Sequence, residues 1–274
     1  MSRLRGAYRG FKCYLKGAAN NLINSESLLA TATIQYHDDL YLVSFPKSGA
    51  TWMDFLMANV HLQMSGQNRK VTFFNVHNFI PDIHDARDVK PSAMTFPGFR
   101  VMKSHSKLNP YYKNVVYIVR DPRDVMVSYY HFVMGLGNFN GTIAEFIRTE
   151  KFGIRAWVKH TKGWWEASPA SLPFILIRFE DLQKDAAGQL IRLYDFIGYD
   201  IPISVIEKAV ELSGFDVMKM LEKELNYGGR PIGKKLTFMR KGKSGASCSD
   251  LSEEDTQYIE KEAGVLLDTF GYRS

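Results

Sequence analysis

Between Leu40 and Met64 the chain reads LYLVSFPKSGATWMDFLMANVHLQM, and this stretch constrains the fold more than any other. Leu40 to Phe45 is short, apolar and rich in β-formers, and Pro46 stops it, so it reads as a buried strand. From Thr51 the run TWMDFLMANVHLQM is apolar nearly all round and long enough for a helix, with Thr51 near its N-terminus. The loop PKSGA lies between them. A strand, a tight glycine loop and a helix together present backbone N–H groups and a helix dipole to an anionic group. Gly49 permits close approach of the backbone, Lys47 brings a mobile cation, and the hydroxyls of Ser48 and Thr51 can donate to phosphate. The same residues also serve as a plain strand-to-helix turn. The lysine precedes the glycine, unlike the Walker pattern, which weakens a magnesium-dependent nucleotide triphosphatase.

The pattern then recurs. Phe99 to Ser104, Asn114 to Val119 and Phe174 to Phe179 are further strand candidates. Arg120-Asp121-Pro122 follows the second, with Asp121 as cap and Pro122 as first helical residue. Helical periodicity marks Phe152 to Glu166, Ala186 to Ile197, Ile203 to Leu212 and Glu253 to Phe270. Strands alternating with helices predict an α/β fold with a parallel sheet covered on both faces. No repeat, low-complexity segment or Pro/Gly/Ser linker divides the chain, so 1–274 is expected to form one domain, with 1–36 an N-terminal arm and substrate-side segment. Trp164 and Trp165, at helical spacing from Trp157, read as core.

Composition sets the outer limits. With 274 residues, 45% of them hydrophobic and 23% charged, the chain supports a large core and excludes disordered, collagenous and coiled-coil classes. The net charge of +6 favours anionic ligands without indicating nucleic acid. Cys13 and Cys248, the only cysteines, make neither a disulfide scaffold nor a four-ligand zinc site. Arg3, Arg5, Arg9, Lys12 and Lys16 interrupt the stretch where a secretion signal needs an apolar block, and no apolar run approaches a membrane span. A cytoplasmic protein without a membrane span or bound metal is the expectation.

Two further basic elements join the loop. Arg120 ends a predicted strand and Ser128 lies on the next helix, so both can face the sheet edge where ligands of such folds bind. Phe238-Met239-Arg240-Lys241-Gly242 adds two cations and a flexible glycine. In this order the elements FPKSGATW, YIVRDPRDVMVSYYHF and RKGKSG resemble those of the cytosolic sulfotransferase family, which transfers a sulfonate from 3′-phosphoadenosine 5′-phosphosulfate (PAPS) to a hydroxyl or amine, leaving 3′-phosphoadenosine 5′-phosphate (PAP). The resemblance implies a three-layer α/β sandwich with a P-loop-like strand-loop-helix and no metal. It implies that Lys47, Ser48, Gly49, Ala50 through its backbone, and Thr51 hold the 5′-phosphosulfate, and that Trp52 stacks on adenine. Arg120, Ser128, Arg240, Lys241 and Gly242 would hold the 3′-phosphate, with Ser213, Phe215, Met218, Phe238 and Met239 on the adenine side. Phe179 stands where many members have a tyrosine near the adenine. Lys103-Ser104-His105 resembles the family's Lys-Thr-His, whose histidine is the catalytic base. The implied catalytic set is His105, Lys47, Lys103 and Ser128.

The residues support this chemistry on their own. Period-two alternation puts Lys103 and His105 on one face at the end of a strand, offering a cation and a base together. An imidazole can take the proton of an attacking hydroxyl, and lysines can stabilise charge on the leaving phosphate. Six other histidines compete, His37, His61, His77, His84, His131 and His160, and the Lys-Ser-His context selects His105. His77, Phe79 and Phe139 are candidates for the acceptor pocket, and the spacing of His77 and His84 matches no compact metal motif. Beyond Lys243 the chain lacks the family's Asp-Trp-Lys continuation and its dimer segment, so a monomer or a different contact is expected. An ATP-dependent small-molecule kinase and a non-catalytic nucleotide-binding module remain as alternatives.

Overall fold

The computed structural model describes residues 39–83, 95–96, 99–171, 173–227, 242, 245 and 249–273. Five strands form one sheet: β1 (Leu40–Ser44), β2 (Thr95–Phe96), β3 (Phe99–Ser104), β4 (Asn114–Val119) and β5 (Phe174–Arg178). Their spatial order is β2-β3-β1-β4-β5. β1 is parallel to β3 and β4, β4 is parallel to β5, and the short β2 adds an antiparallel edge that the strand pattern does not announce. Every residue of β1 and β3 is buried, as expected of parallel strands covered on both faces.

Helices fill both sides. α1 (Ala50–Met64), α5 (Phe179–Lys184), α6 (Ala186–Phe196) and α7 (Ile203–Leu212) make one connected group. α2 (Pro122–Gly135), α3 (Ile143–Arg148), α4 (Ile154–Ser171) and α9 (Glu253–Ala263) make the other, with α8 (Phe215–Tyr227) and α10 (Val265–Thr269) completing the set. Three layers result. α1 is buried from Met53 through Leu62 because it lies between the sheet and α7, which accounts for a sequence apolar nearly all round. Trp157 and Trp164 are fully buried in the core and Trp165 packs against it, as expected.

Several boundaries differ from expectation. Phe179, read as the end of a strand, is the first residue of α5, since the ladder with β4 stops at Arg178. The helix expected over Glu253 to Phe270 is two, because Gly264 takes φ 52° between α9 and α10. Asp121 caps α2 through a bond from the Arg123 N–H, with Pro122 in the first turn, as the sequence implied.

Candidate active site

Register places His105. β1 and β3 pair with Val43 opposite Ser104, so the next residues, Ser44 and His105, lie side by side where the strands end. His105 Nδ1 is 2.8 Å from the Ser44 carbonyl oxygen, with the Ser44 hydroxyl at 3.4 Å. A carbonyl only accepts, so Nδ1 is the donor in this bond, and in the neutral ring Nε2 holds the lone pair. His105 is half-buried. Its chain is held from behind by α4, where the Trp164 indole donates to the Ser106 carbonyl at 2.9 Å.

The loop after β1 takes a conformation that side chains resist. Lys47 has φ 68° and Gly49 φ 108°. A Cβ on Gly49 would stand 2.5 Å from the Phe179 ring, so both backbone angle and space require glycine. The Gly49 carbonyl accepts from the N–H groups of Trp52 and Met53, opening α1 and leaving its first-turn N–H groups at the loop. Ser48 Oγ is buried and has no hydrogen-bond partner among the described residues. A buried hydroxyl, a glycine cradle and a helix N-terminus beside lysine fit a phosphosulfate group.

Arg120 reaches the same loop from the end of β4. Its guanidinium lies 4.4 Å from the centre of the Phe179 ring, Nη1 is 3.4 Å from the Lys47 carbonyl, and Nη2 is 3.5 Å from Asp124. Phe179 thus touches three parts of the predicted site, because Trp52 also meets it edge-on at 5.8 Å. The Trp52 indole donates to the Ser213 carbonyl at 2.9 Å, while Asn59 donates to the Ser213 hydroxyl at 3.0 Å. Loop, α1 and the end of α7 are locked together there. Met218 is buried on α8, and Phe215 begins that helix against Gly242. Gln183 donates to the Gly242 carbonyl, and the Gly245 N–H donates to Asp124 at 2.8 Å. Gly245 therefore meets the carboxylate that faces Arg120, and Gly242 meets α5. Phe238, Met239, Arg240 and Lys241 lie outside the described residues, and Ser128 is half-buried on α2.

Lys103 is 1% exposed and its ammonium is 2.8 Å from Asp54 and 3.3 Å from the Thr51 hydroxyl. Burial pushes the Asp54 carboxyl up to about 6, against the lowering pull of Lys103. Of the acceptor candidates, His77 is half-buried with Nδ1 3.4 Å from the Ile80 carbonyl, and Phe79 is buried near His61. Phe139 packs on Phe146 and Tyr130 at the end of α2. Sequence reasoning missed Asp54, Asp124 and Gln183. The spacing of Arg120 and Asp124, four apart, could have revealed one of them.

Among the described residues no group of His, Cys, Asp or Glu could hold a metal ion, and no helix is long and apolar enough to cross a membrane. The Sulfotransferase domain family matches residues 37–270. Sulfotransferase 1C2 of Oryctolagus cuniculus is 28% identical over 255 residues, 84% of this chain and 85% of its own. Sulfotransferase 2A2 of Rattus norvegicus is 27% identical over 258 residues, covering 83% and 85%. The crystal structure of retinol dehydratase in a complex with retinol and PAP superposes with a TM-score of 0.67 at 21% identity, over 90% of this chain and 85% of that one. Mouse sulfotransferase SULT7A1 complexed with PAP gives 0.62 at 20% identity, over 88% and 90%. The chain belongs to the sulfotransferase family. Its reaction class follows: it is a PAPS-dependent sulfotransferase.

Proposed function

We propose that the chain moves a sulfonate from PAPS to a hydroxyl or amine of a small-molecule acceptor, that His105 is the general base, and that 1–274 act as one domain. The observation that supports the assignment is the bond from His105 Nδ1 to the Ser44 carbonyl, which leaves Nε2 as the ring nitrogen to accept a proton and ties the ring to the strand end that leads into the PKSGA loop. Lys47, Ser48, Gly49, the Ala50 backbone and Thr51 would hold the 5′-phosphosulfate, where bound PAPS supplies an activated sulfonate on a phosphate leaving group. Arg120, Ser128 and Gly242, with Arg240 and Lys241, would hold the 3′-phosphate. Trp52, Ser213, Phe215 and Met218 form the adenine side, with Phe238 and Met239.

His105 then takes the proton of the acceptor as its oxygen or nitrogen turns nucleophilic, a role worth about 10²–10⁴-fold in rate. Lys47 and Lys103, one at the loop and one against Thr51, place positive charge on the donor side, where negative charge grows. His77, Phe79 and Phe139 would suit an acceptor with a hydrocarbon body. Retinol and androsterone, which accompany PAP in the retinol dehydratase structures, belong on the test panel with phenols and amines.

Incubation with PAPS and that panel is expected to yield a sulfated product and PAP. His105→Ala should lose about 10²–10⁴-fold in kcat while binding PAP as tightly as wild type by calorimetry. Full activity in His105→Ala removes the base. PAP binding without transfer to any acceptor would instead select a non-catalytic module, and magnesium-dependent turnover of ATP a kinase.

A further inference from the structure

Lys103 is a long cation in a place that solvent does not reach. Its backbone is fixed on both sides, the N–H donating to the Pro81 carbonyl at 2.9 Å and the carbonyl accepting from Ile83 at 3.0 Å. Only the side chain is left to choose a direction. Asp54, 0% exposed and one turn along α1 from Thr51, makes that choice by accepting from the ammonium at 2.8 Å. The result brings the ammonium within 3.3 Å of the Thr51 hydroxyl, at the donor loop.

We propose that Asp54 is a positioning residue for sulfonate transfer, holding the Lys103 ammonium against Thr51 so that strand β3, which carries the base, and helix α1, which follows the donor loop, meet in one ion pair. The inference rests on the assignment of Lys103 to the donor side. A buried lysine with no counter-charge would neutralise or turn away, so the carboxylate keeps it both charged and aimed. The arrangement also has a proton dependence. Asp54 faces Lys103 and, electrostatically, the buried Asp82 of the segment that pairs with β3, and burial and Asp82 both raise its proton affinity. When Asp54 takes a proton the ion pair ends and the ammonium loses its hold. Acid therefore removes the placement of Lys103.

The test uses the whole chain. Asp54→Asn keeps the side-chain shape and removes the charge. It should lower kcat by about 10- to 100-fold, as misplacement of a reacting group does, and move KM for PAPS by less than about threefold. The acidic limb of log kcat/KM should become less steep than in wild type, and Asp54→Glu should restore part of kcat. In a Lys103→Met background Asp54→Asn should change kcat by less than about twofold, because its target is gone. Wild-type kcat and an unchanged acidic limb in Asp54→Asn overturn the proposal. So does an effect in the Lys103→Met background as large as in wild type. If Asp54→Asn alone does not fold, the double variant, which loses both charges together, is compared with Lys103→Met: kcat within about twofold supports the positioning role, and a further loss of tenfold or more overturns it. Activity surviving in Lys103→Met or His105→Ala would instead fault the assignment of those residues, so the two failures are told apart.

Discussion

At the scale of single residues, Gly49 and Phe179 define the site's tolerance. Gly49→Ala adds a Cβ 2.5 Å from the Phe179 ring at φ 108°, a conformation that costs a non-glycine residue about 1–3 kcal/mol. We expect PAP affinity to fall at least tenfold by calorimetry. Adding Phe179→Leu should recover only the steric share and leave the backbone share. Arg120→Lys is expected to weaken PAP binding nearly as much as Arg120→Ala, because a point charge does not reproduce a flat fork lying on the Phe179 ring while reaching Lys47 and Asp124. Wild-type affinity in the lysine variant would remove that role. Gly49 and Arg120 were nameable from FPKSGATW and YIVRDP, whose types and order carry the chemistry. Asp54 was not, because its partner is 49 positions away and no local pattern links them.

Among the elements, α4 underlies the base. His160 on that helix is buried, shares its Nδ1 with the Tyr117 hydroxyl at 3.0 Å, and is held neutral by desolvation, with His105 adding repulsion. Its proton affinity drops from 6.5 to about 3, so unfolding binds a proton that the folded state refuses. Its stabilising contribution is full above pH 6.5 and lost as pH falls toward about 3. Asp54 acts in the opposite sense between 3.8 and about 6, since its folded state holds a proton more readily. Urea midpoints at pH 8 and pH 5 should therefore be compared between wild type and His160→Gln. The variant is expected to show the smaller loss in acid, and equal losses would refute the burial argument. The main strands were legible because fully buried parallel strands are continuous apolar runs. α3 opens on a Thr142–Glu145 capping box, a local signal that the sequence carries in full. α5 has no side-chain cap and begins on a phenylalanine of a strand-like run, so nothing local marked its start.

For the whole molecule, one five-stranded sheet between two helix groups implies cooperative unfolding. Trp52 sits in one layer, and Trp157 and Trp164 in the other. Tryptophan fluorescence and far-UV circular dichroism should give coincident urea transitions, and two separate ones would divide the domain. Excess PAP should raise the midpoint in proportion to the logarithm of its concentration, and that rise should disappear in Arg120→Ala. Layers and strand alternation could be read in advance because each element shows its own period. The meeting of the late glycine segment with Asp124 and Gln183 could not, since it depends on how distant pieces close around one another.

The bond that the imidazole donates to the Ser44 carbonyl has a last implication. Ser44 ends β1 and is followed directly by Phe45, Pro46 and Lys47, so one short run of backbone joins the histidine's anchor to the turn proposed to grip the nucleotide. Any strain imposed on that turn reaches the ring within a few bonds. On the proposed roles, substitutions that tune nucleotide grip are expected to alter proton abstraction as well, so the two functions of this strand end are expected to change together.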